Sequence, residues 1–280
     1  MSIKKYAVIG HPIGHTMSPF IHNRLFELSG IKAEYSVLDI HPDNLAFEFY
    51  NTLKHLDGFN ITIPHKQNII KHIDTLDKKA QLYGSVNTVD FKNGRSTGYT
   101  TDPDGFLKAI GSVGISLKDR VVILGCGGVA RTMAYEALLA GADLTLAVRP
   151  EDLTLALALC NELESNIENA SVQSCLISEL CGDIDVLVNA TPVGMFPNVD
   201  AQPVSDKVIA KTAALFDAVY NPLETVLVQK ALANGSKAIG GMSMLVWQAV
   251  VAHEIWDGST YDVSEINKIC VDASQYLKSK

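Results

Sequence analysis

The stretch that most constrains this chain is residues 121–131, V-V-I-L-G-C-G-G-V-A-R. Val121 to Leu124 form a β-branched, apolar run suited to a buried strand. Gly125, Gly127 and Gly128 crowd the turn that follows. Val129, Ala130, Met133, Ala134, Ala137 and Leu138 then recur at helical spacing. This reads as strand, turn, helix, with G-x-G-x-x-A spacing and Ala130 in the third small position. Small residues there let backbone approach a pyrophosphate and let the helix pack close to its strand. The helix N-terminus supplies amide donors to the anion. A glycine-rich turn that binds nothing would share the spacing. A second strand at Asp143–Val148 supplies the context that favours a dinucleotide.

The rhythm continues beyond that unit. Strands are expected at 120–124, 143–148, 171–175, 185–190, 214–218 and 237–239, with helices at 129–140, 151–165 and 225–234. That alternation predicts a doubly wound parallel sheet, ended by Gly240-Gly241. The first hundred residues are also α/β but carry no glycine fingerprint. Strands are expected at 5–9, 34–39 and 58–63, the last stopped by Pro64. A hairpin at 86–91 and 96–100 turns on Asn93-Gly94. Helices are expected at 19–29, with Ser18 as N-cap and Pro19 as first helical residue, and at 44–53, 78–83 and 103–113. Two helices close the chain, one with Met244, Gln248, Val251 and Ile255 on a face, the other with Val263, Ile266, Cys270, Ala273 and Leu277. Two helices cannot form a domain alone, so they are expected to return to the first. The predicted class is α/β with two domains: 1–104 plus 242–280, a substrate-binding α/β domain, and 105–241, a Rossmann dinucleotide-binding domain.

Bulk properties narrow the partners. With 47% hydrophobic and 19% charged residues, the chain can bury a core. A net charge of −8 argues against nucleic acid and leaves any anionic ligand to local donors. No apolar run approaches the ~20 residues of a membrane span, and the start runs straight into a strand rather than a signal peptide. Five cysteines without C-x-x-C spacing fit reduced thiols in a cytoplasmic protein, with Cys126 serving as a small residue in the turn. No histidine pair has metal-ligand spacing, so no metal site is expected. His15, His22, His65 and His72 are expected at the surface or behind a site.

Polar clusters supply the chemistry. In Asn60-Ile-Thr-Ile-Pro-His-Lys66, a strand would turn Asn60 and Thr62 to one side and Ile61 and Ile63 to the core, with Lys66 thrown beyond the strand tip. Such a lysine can polarise a carbonyl or move a proton; most lysines are merely solvated. Asp102, before Pro103, is either a helix cap or a carboxylate placed to pair with Lys66. Asn87 is a turn amide or a hydroxyl-binding one. Thr16 and Ser18 offer two hydroxyls beside a helix N-terminus, an uncharged carboxylate site. Tyr220 could add a third hydroxyl, or pack on Pro222. Gln248 is an amide on an apolar face, so it needs a polar partner. Arg149 ends the second Rossmann strand, where an acid usually holds the ribose of NAD; an arginine there suits a 2′-phosphate. Glu151 and Asp152 would oppose that phosphate. Asn189-Ala-Thr-Pro-Val-Gly194 leaves a later strand end as a loop.

Taken together, eight blocks resemble the shikimate/quinate dehydrogenase family in order: 10–23, 60–66, 84–88, 98–105, 125–131, 189–195, 217–225 and 240–248. The resemblance implies a two-domain enzyme with its active site in the cleft, reducing 3-dehydroshikimate to shikimate with NADPH on the route to aromatic amino acids. It implies Lys66 and Asp102 as the catalytic pair. Asn60, Thr62, Asn87 and Gln248 would hold ring hydroxyls or orient that pair, and Thr16, Ser18 and Tyr220 would take the carboxylate. For the cofactor it implies Gly125, Gly127, Gly128, Val129 and Ala130 at the pyrophosphate, Arg149 at the adenosine end, and Thr191 and Gly241 near the nicotinamide. Two positions depart from the pattern. Thr16 stands where serine is usual, and Val148, Pro150, Glu151 and Asp152 surround Arg149, which leaves NAD as well as NADP open. The alternatives are a quinate/shikimate dehydrogenase using NAD and a ligand sensor without turnover; retention of Lys66 and Asp102 speaks against the sensor. The partner expected is the small substrate, in a monomer or homodimer.

Overall fold

The computed structural model describes residues 3–14 and 16–279; the expectation for His15 lies outside them. The chain forms two compact units, Met1–Asp104 with Val246–Tyr276 and Gly105–Leu245 with Leu277–Lys280.

The first unit begins with β1 (Lys4–Gly10), α1 (Ser18–Ser29), β2 (Ala33–Asp39), α2 (Leu45–Asn51), β3 (Gly58–Ile61) and α3 (His65–Asn68). It continues with β4 (Thr75–Leu76), α4 (Lys78–Tyr83), β5 (Thr88–Lys92) and β6 (Arg95–Tyr99). Its sheet runs β2-β1-β3-β5-β6-β4. β1 is buried over its last five residues and pairs in parallel with β2 and β3, so it lies inside the sheet. β5 runs antiparallel to β3 and β6. The β5–β6 turn has Asn93 at φ 55° and Gly94 at φ 74°, both positive as a two-residue hairpin with type I′ geometry requires. Ile9, Phe49, Leu53, Phe59, Ile61 and Val89 belong to the core on one face.

Several local expectations need correction. β3 stops at Ile61 rather than at 63, and Ile63 is 74% exposed instead of buried. The Thr62 N–H still bonds the Ile9 carbonyl, after which Pro64 turns the chain into α3. The helix expected over 44–53 is α2 flanked by 3₁₀ turns at Pro42–Asn44 and Leu53–His55. Ser18 is not the cap of α1. It is the first helical residue, Met17 is the N-cap, and the Ser18 N–H donates to Thr16 Oγ1. The two-residue β4 is too short to leave a pattern. His22 and His65 are wholly buried, which leaves for them only the place behind a site, and His72 is half-buried.

α5 (Asp102–Ser112) carries the chain into the second unit. There follow β7 (Arg120–Leu124), α6 (Gly128–Leu139), β8 (Asp143–Val148), α7 (Leu153–Asn166), β9 (Ser171–Leu176), β10 (Ile184–Asn189), α8 (Asp206–Ile209), β11 (Thr212–Asp217), α9 (Val226–Ala233) and β12 (Lys237–Gly240). All six strands are parallel, in the order β12-β11-β10-β7-β8-β9. This is the doubly wound order, with β7 and β10 adjacent where the winding reverses. Val122, Leu124, Leu187 and Leu215 are fully buried, as strands covered on both faces must be.

α10 (Met242–Asp257) and α11 (Val263–Lys278) end the fold, with most of both in the first unit. The expected single apolar stripe on α10 is corrected. Val246, Trp247, Ala249, Val250, Ala252, His253 and Trp256 are buried around most of its circumference, while Met244 and Ile255 are only half-buried. Trp256 donates Nε1–H to the Val89 carbonyl at 2.9 Å, fixing the helix against β5. On α11, Ile266, Ile269 and Ala273 are buried and Val263 is exposed.

Candidate active site

In the first unit the end of β3 and the start of α5 bring Lys66 Nζ to 2.6 Å from Asp102 Oδ2. α3 is anchored by His65, whose Nε2–H donates to the Ile40 carbonyl at 2.7 Å. The Lys66 carbonyl in turn accepts from the Val86 N–H at 2.8 Å. Lys66 therefore extends from a fixed backbone. Both partners keep some exposure, 30% and 21% of their side chains, so the pair is reachable from solvent.

Asp102 is held through its neighbour. Thr101 is fully buried, and its N–H donates to Asn87 Oδ1 at 2.8 Å while its hydroxyl accepts from Asn87 Nδ2 at 3.0 Å. Gln248 Oε1 lies 3.4 Å from both Asn87 Nδ2 and Thr101 Oγ1, so the amide on α10 has the polar partners it needed. Asn60 is only 6% exposed. Its Nδ2 donates to Thr88 Oγ1 at 3.0 Å and its Oδ1 accepts from the Tyr35 hydroxyl at 2.6 Å. The Thr16 hydroxyl donates to Ser18 Oγ at 3.1 Å. Burial pushes the Tyr35 phenol well above its ordinary range, so it remains a donor. A continuous polar train thus runs from Tyr35 through Asn60, Thr88 and Asn87 to Thr101 beside Asp102. Thr62 is half-buried just past β3, and a Cβ on Gly10 would stand 2.6 Å from its methyl.

Sequence reasoning missed Thr101 and Tyr35. Neither carries charge or a recognisable spacing. The only sequence hint was position: Thr101 precedes Asp102, and Tyr35 lies on β2.

In the second unit the glycine turn leaves β7 at the winding reversal. Gly125 has φ 97°, and a Cβ there would stand 3.1 Å from Thr191 Cγ2, so the fold itself requires glycine. Gly127 and Gly128 differ. Neither has positive φ, and a Cβ on either would meet no protein atom within 4 Å. Gly127 caps α6 without a side-chain bond, the first turn holds no acid, and Val129 is exposed. The open space and the unmatched amides suit a phosphate-bearing ligand, while Ala130, fully buried, lets α6 approach its strand. The dinucleotide therefore fits the residues present. Burial and the nearby Asp152 push the Cys126 thiol up, which keeps it protonated rather than nucleophilic.

Arg149 follows β8. Its Nε and one terminal nitrogen lie 3.0 and 2.8 Å from Asp152 Oδ2, and its other terminal nitrogen is 3.2 Å from Glu151. The guanidinium is 64% exposed but already engaged by carboxylates. Thr191 stands after β10, with its hydroxyl donating to Asn189 Oδ1 at 2.6 Å. Tyr220 is half-buried beyond β11. Gly241 is buried, and a Cβ there would lie 2.2 Å from the Ala218 carbonyl oxygen, so packing alone demands that glycine.

Residues 8–89 match the model of the shikimate dehydrogenase substrate binding domain. The chain is 36% identical over 276 residues to the shikimate dehydrogenase (NADP(+)) of Methanocaldococcus jannaschii, covering 96% of each protein. Among solved structures it resembles the shikimate 5-dehydrogenase of Thermus thermophilus in complex with NADP(H) and shikimate. That match has a TM-score of 0.85, 32% identity, and coverage of 97% of this chain and 100% of the other. It also resembles the Listeria monocytogenes enzyme in complex with shikimate and NAD, with a TM-score of 0.86, 28% identity and coverage of 95% and 96%. On this likeness over almost its whole length, the chain belongs to the shikimate dehydrogenase family.

Proposed function

We propose that this protein is a shikimate dehydrogenase that reversibly reduces 3-dehydroshikimate to shikimate with NADPH. The observation that carries this reading is the 2.6 Å Lys66–Asp102 pair, set at the end of the polar train that begins at Tyr35. Bound NADPH supplies hydride to the ring carbonyl. The chain's own groups handle the oxygen: the Lys66 ammonium hydrogen-bonds it as negative charge develops, and the Lys66/Asp102 pair delivers one proton. Thr101 and Asn87 hold Asp102 in that geometry. Gln248 addresses a ring hydroxyl, whereas Asn87 and Asn60, both buried and bonded on both amide atoms, orient their neighbours. Thr16 and Ser18, with Tyr220, take the carboxylate through neutral donors, which suits a chain of net charge −8. The glycine turn binds the pyrophosphate, Thr191 and Gly241 lie toward the nicotinamide, and Arg149 takes the adenosine phosphate.

Lys66→Ala is expected to lower kcat by about two to four orders of magnitude, the usual range for loss of a positioned acid or base. NADP+ affinity, read by fluorescence titration, should stay within about two-fold of wild type, less than the loss of one direct contact would produce. Turnover close to wild type would overturn the assignment. The same assay with shikimate and quinate as substrates, each with NADP+ and NAD+, fixes the substrate and cofactor preference.

A further inference from the structure

Asp217 ends β11 completely buried, yet none of the described residues pairs with it as a cation. Its Oδ1 accepts from Asn189 Nδ2 at 2.9 Å and from the Val219 N–H at 3.0 Å, and its Oδ2 accepts from the Thr225 hydroxyl at 2.6 Å. A buried carboxylate without a cation is costly, and an apolar residue of similar size would cost less. What the carboxylate adds is direction, because it can only accept. It forces the Asn189 amide to turn Nδ2 inward and Oδ1 outward. Asn189 Oδ1 then accepts from the Thr191 N–H at 3.1 Å and from its hydroxyl at 2.6 Å, while Nδ2 also reaches the Val193 carbonyl at 3.3 Å. On its other side Asp217 fixes the turn at Val219, directly before Tyr220.

The loops after β10 and β11 are knit further by backbone. The Ala218 N–H bonds the Asn189 carbonyl at 2.8 Å, the Phe196 N–H bonds the Asn221 carbonyl at 3.0 Å, and the Gly241 N–H bonds the Val219 carbonyl at 3.0 Å. Thr191 and Tyr220 therefore stand on segments that share one carboxylate.

We propose that Asp217 is a positioning residue that sets Thr191 and Tyr220 together, so that cofactor binding and substrate binding are tuned by a single buried group. The proposal rests on the reading that Thr191 serves the cofactor and Tyr220 the substrate. Asp217→Ser leaves one hydroxyl on a shorter arm in place of two carboxylate oxygens, and it cannot accept from Asn189 Nδ2, the Val219 N–H and the Thr225 hydroxyl together. Asp217→Asn keeps it, because its Oδ1 can face Asn189 and Val219 while its amide donates to a rotated Thr225 hydroxyl. Loss of a buried bond to a charged acceptor corresponds to about a ten-fold effect.

Asp217→Ser is therefore expected to raise KM for both NADP+ and shikimate about ten-fold, and Asp217→Asn to restore both to within about two-fold. Asn189→Ala breaks the same link from the other side and should raise KM for NADP+ even if Asp217→Ser fails to fold. Thr225→Val, which loses the Oδ2 donor and the cap of α9, should lower Tm while leaving both KM values in place. The cycle with Tyr220→Phe separates the two claims. If Tyr220→Phe alone leaves KM for shikimate unchanged, the reading of Tyr220 fails. If it raises that KM, then Asp217→Ser on top should add little for shikimate and its full effect for NADP+. Full additivity for shikimate, or unchanged KM values in folded Asp217→Ser and Asn189→Ala, would overturn the positioning role.

Discussion

Glycine has two different origins within four residues of the turn after β7. Gly125 adopts a left-handed backbone beside Thr191, so the protein itself excludes a side chain there. Gly128 is the first residue of α6, with helical backbone and open space around it. Alanine there suits the helix, and replacing a helical glycine gains up to about 0.5–1 kcal/mol. On the proposed function, the open space its methyl would fill is the space a phosphate oxygen needs to reach the amides. Gly128→Ala should thus leave Tm equal or slightly higher while weakening NADP+ binding by about ten-fold or more, the loss of one charge-assisted bond. Thermal unfolding and a fluorescence titration on one sample test both signs. A parallel fall in Tm and affinity would mean that the fold, not the ligand, requires the glycine.

At the scale of elements, the second unit is the more legible half. Parallel strands covered on both faces must be nearly continuous apolar runs, so Val121–Leu124, Leu146–Val148 and Val186–Val188 stand out by composition. The first unit mixes parallel and antiparallel pairing, and its polar residues do not mark the solvent face. Asn60 lies on β3 between β1 and β5, where both faces are covered, so its polarity signals a buried hydrogen-bond network rather than an open one. What strand pattern cannot show is the state of a side chain at a strand tip. Arg149 is expected to meet a phosphate, but Asp152 and Glu151 of the following turn occupy it first. Any 2′-phosphate must displace exposed ion pairs, which are individually weak, and must also sit near two carboxylates. Asp152→Asn should accordingly strengthen NADP+ binding about two- to five-fold, the range of one exposed pair, and leave NAD+ binding unchanged. Titrations of both cofactors against wild type and variant decide it; equal shifts for the two would show that the acid does not act on the 2′-phosphate.

At the scale of the whole molecule, the chain leaves the first unit along α5 and returns along α10, and sequence cannot show which residues that long excursion brings back together. Lys66, Asp102 and Asn87 stood out as candidates by residue type, each with a structural reading beside the functional one, and the family resemblance gave them roles; Thr101, Tyr35 and Asp217 left no such mark. His22 and His253, 231 positions apart, are the sharpest case. The Tyr261 hydroxyl donates to the Leu25 carbonyl and so accepts from His253 Nδ1 at 2.9 Å. That leaves His253 Nε2 bare to accept from His22 Nδ1 at 3.0 Å, and His22 Nε2 bare in turn, buried without a partner. A proton on His253 Nε2 would face another donor, and one on His22 Nε2 would be buried unpaired. Burial accordingly pushes His253 down to about 3 and His22 well below its ordinary 6.5. The unfolded chain binds these protons first, so their contribution is complete above about pH 6.5 and is lost as pH falls below it, for His253 toward 3 at about 1.4 kcal/mol per pH unit. Asp217, pushed up to about 6 by burial, works in the opposite sense between about pH 4 and 6, because there the folded state holds the extra proton. A variant isolates the histidine share from that opposing one. His253→Gln is expected to be less stable than wild type at pH 7, and the gap in urea midpoint should narrow steadily toward pH 5, since only wild type must exclude a proton from residue 253. A gap that stays constant over that range would show that His253 is not held neutral by the fold.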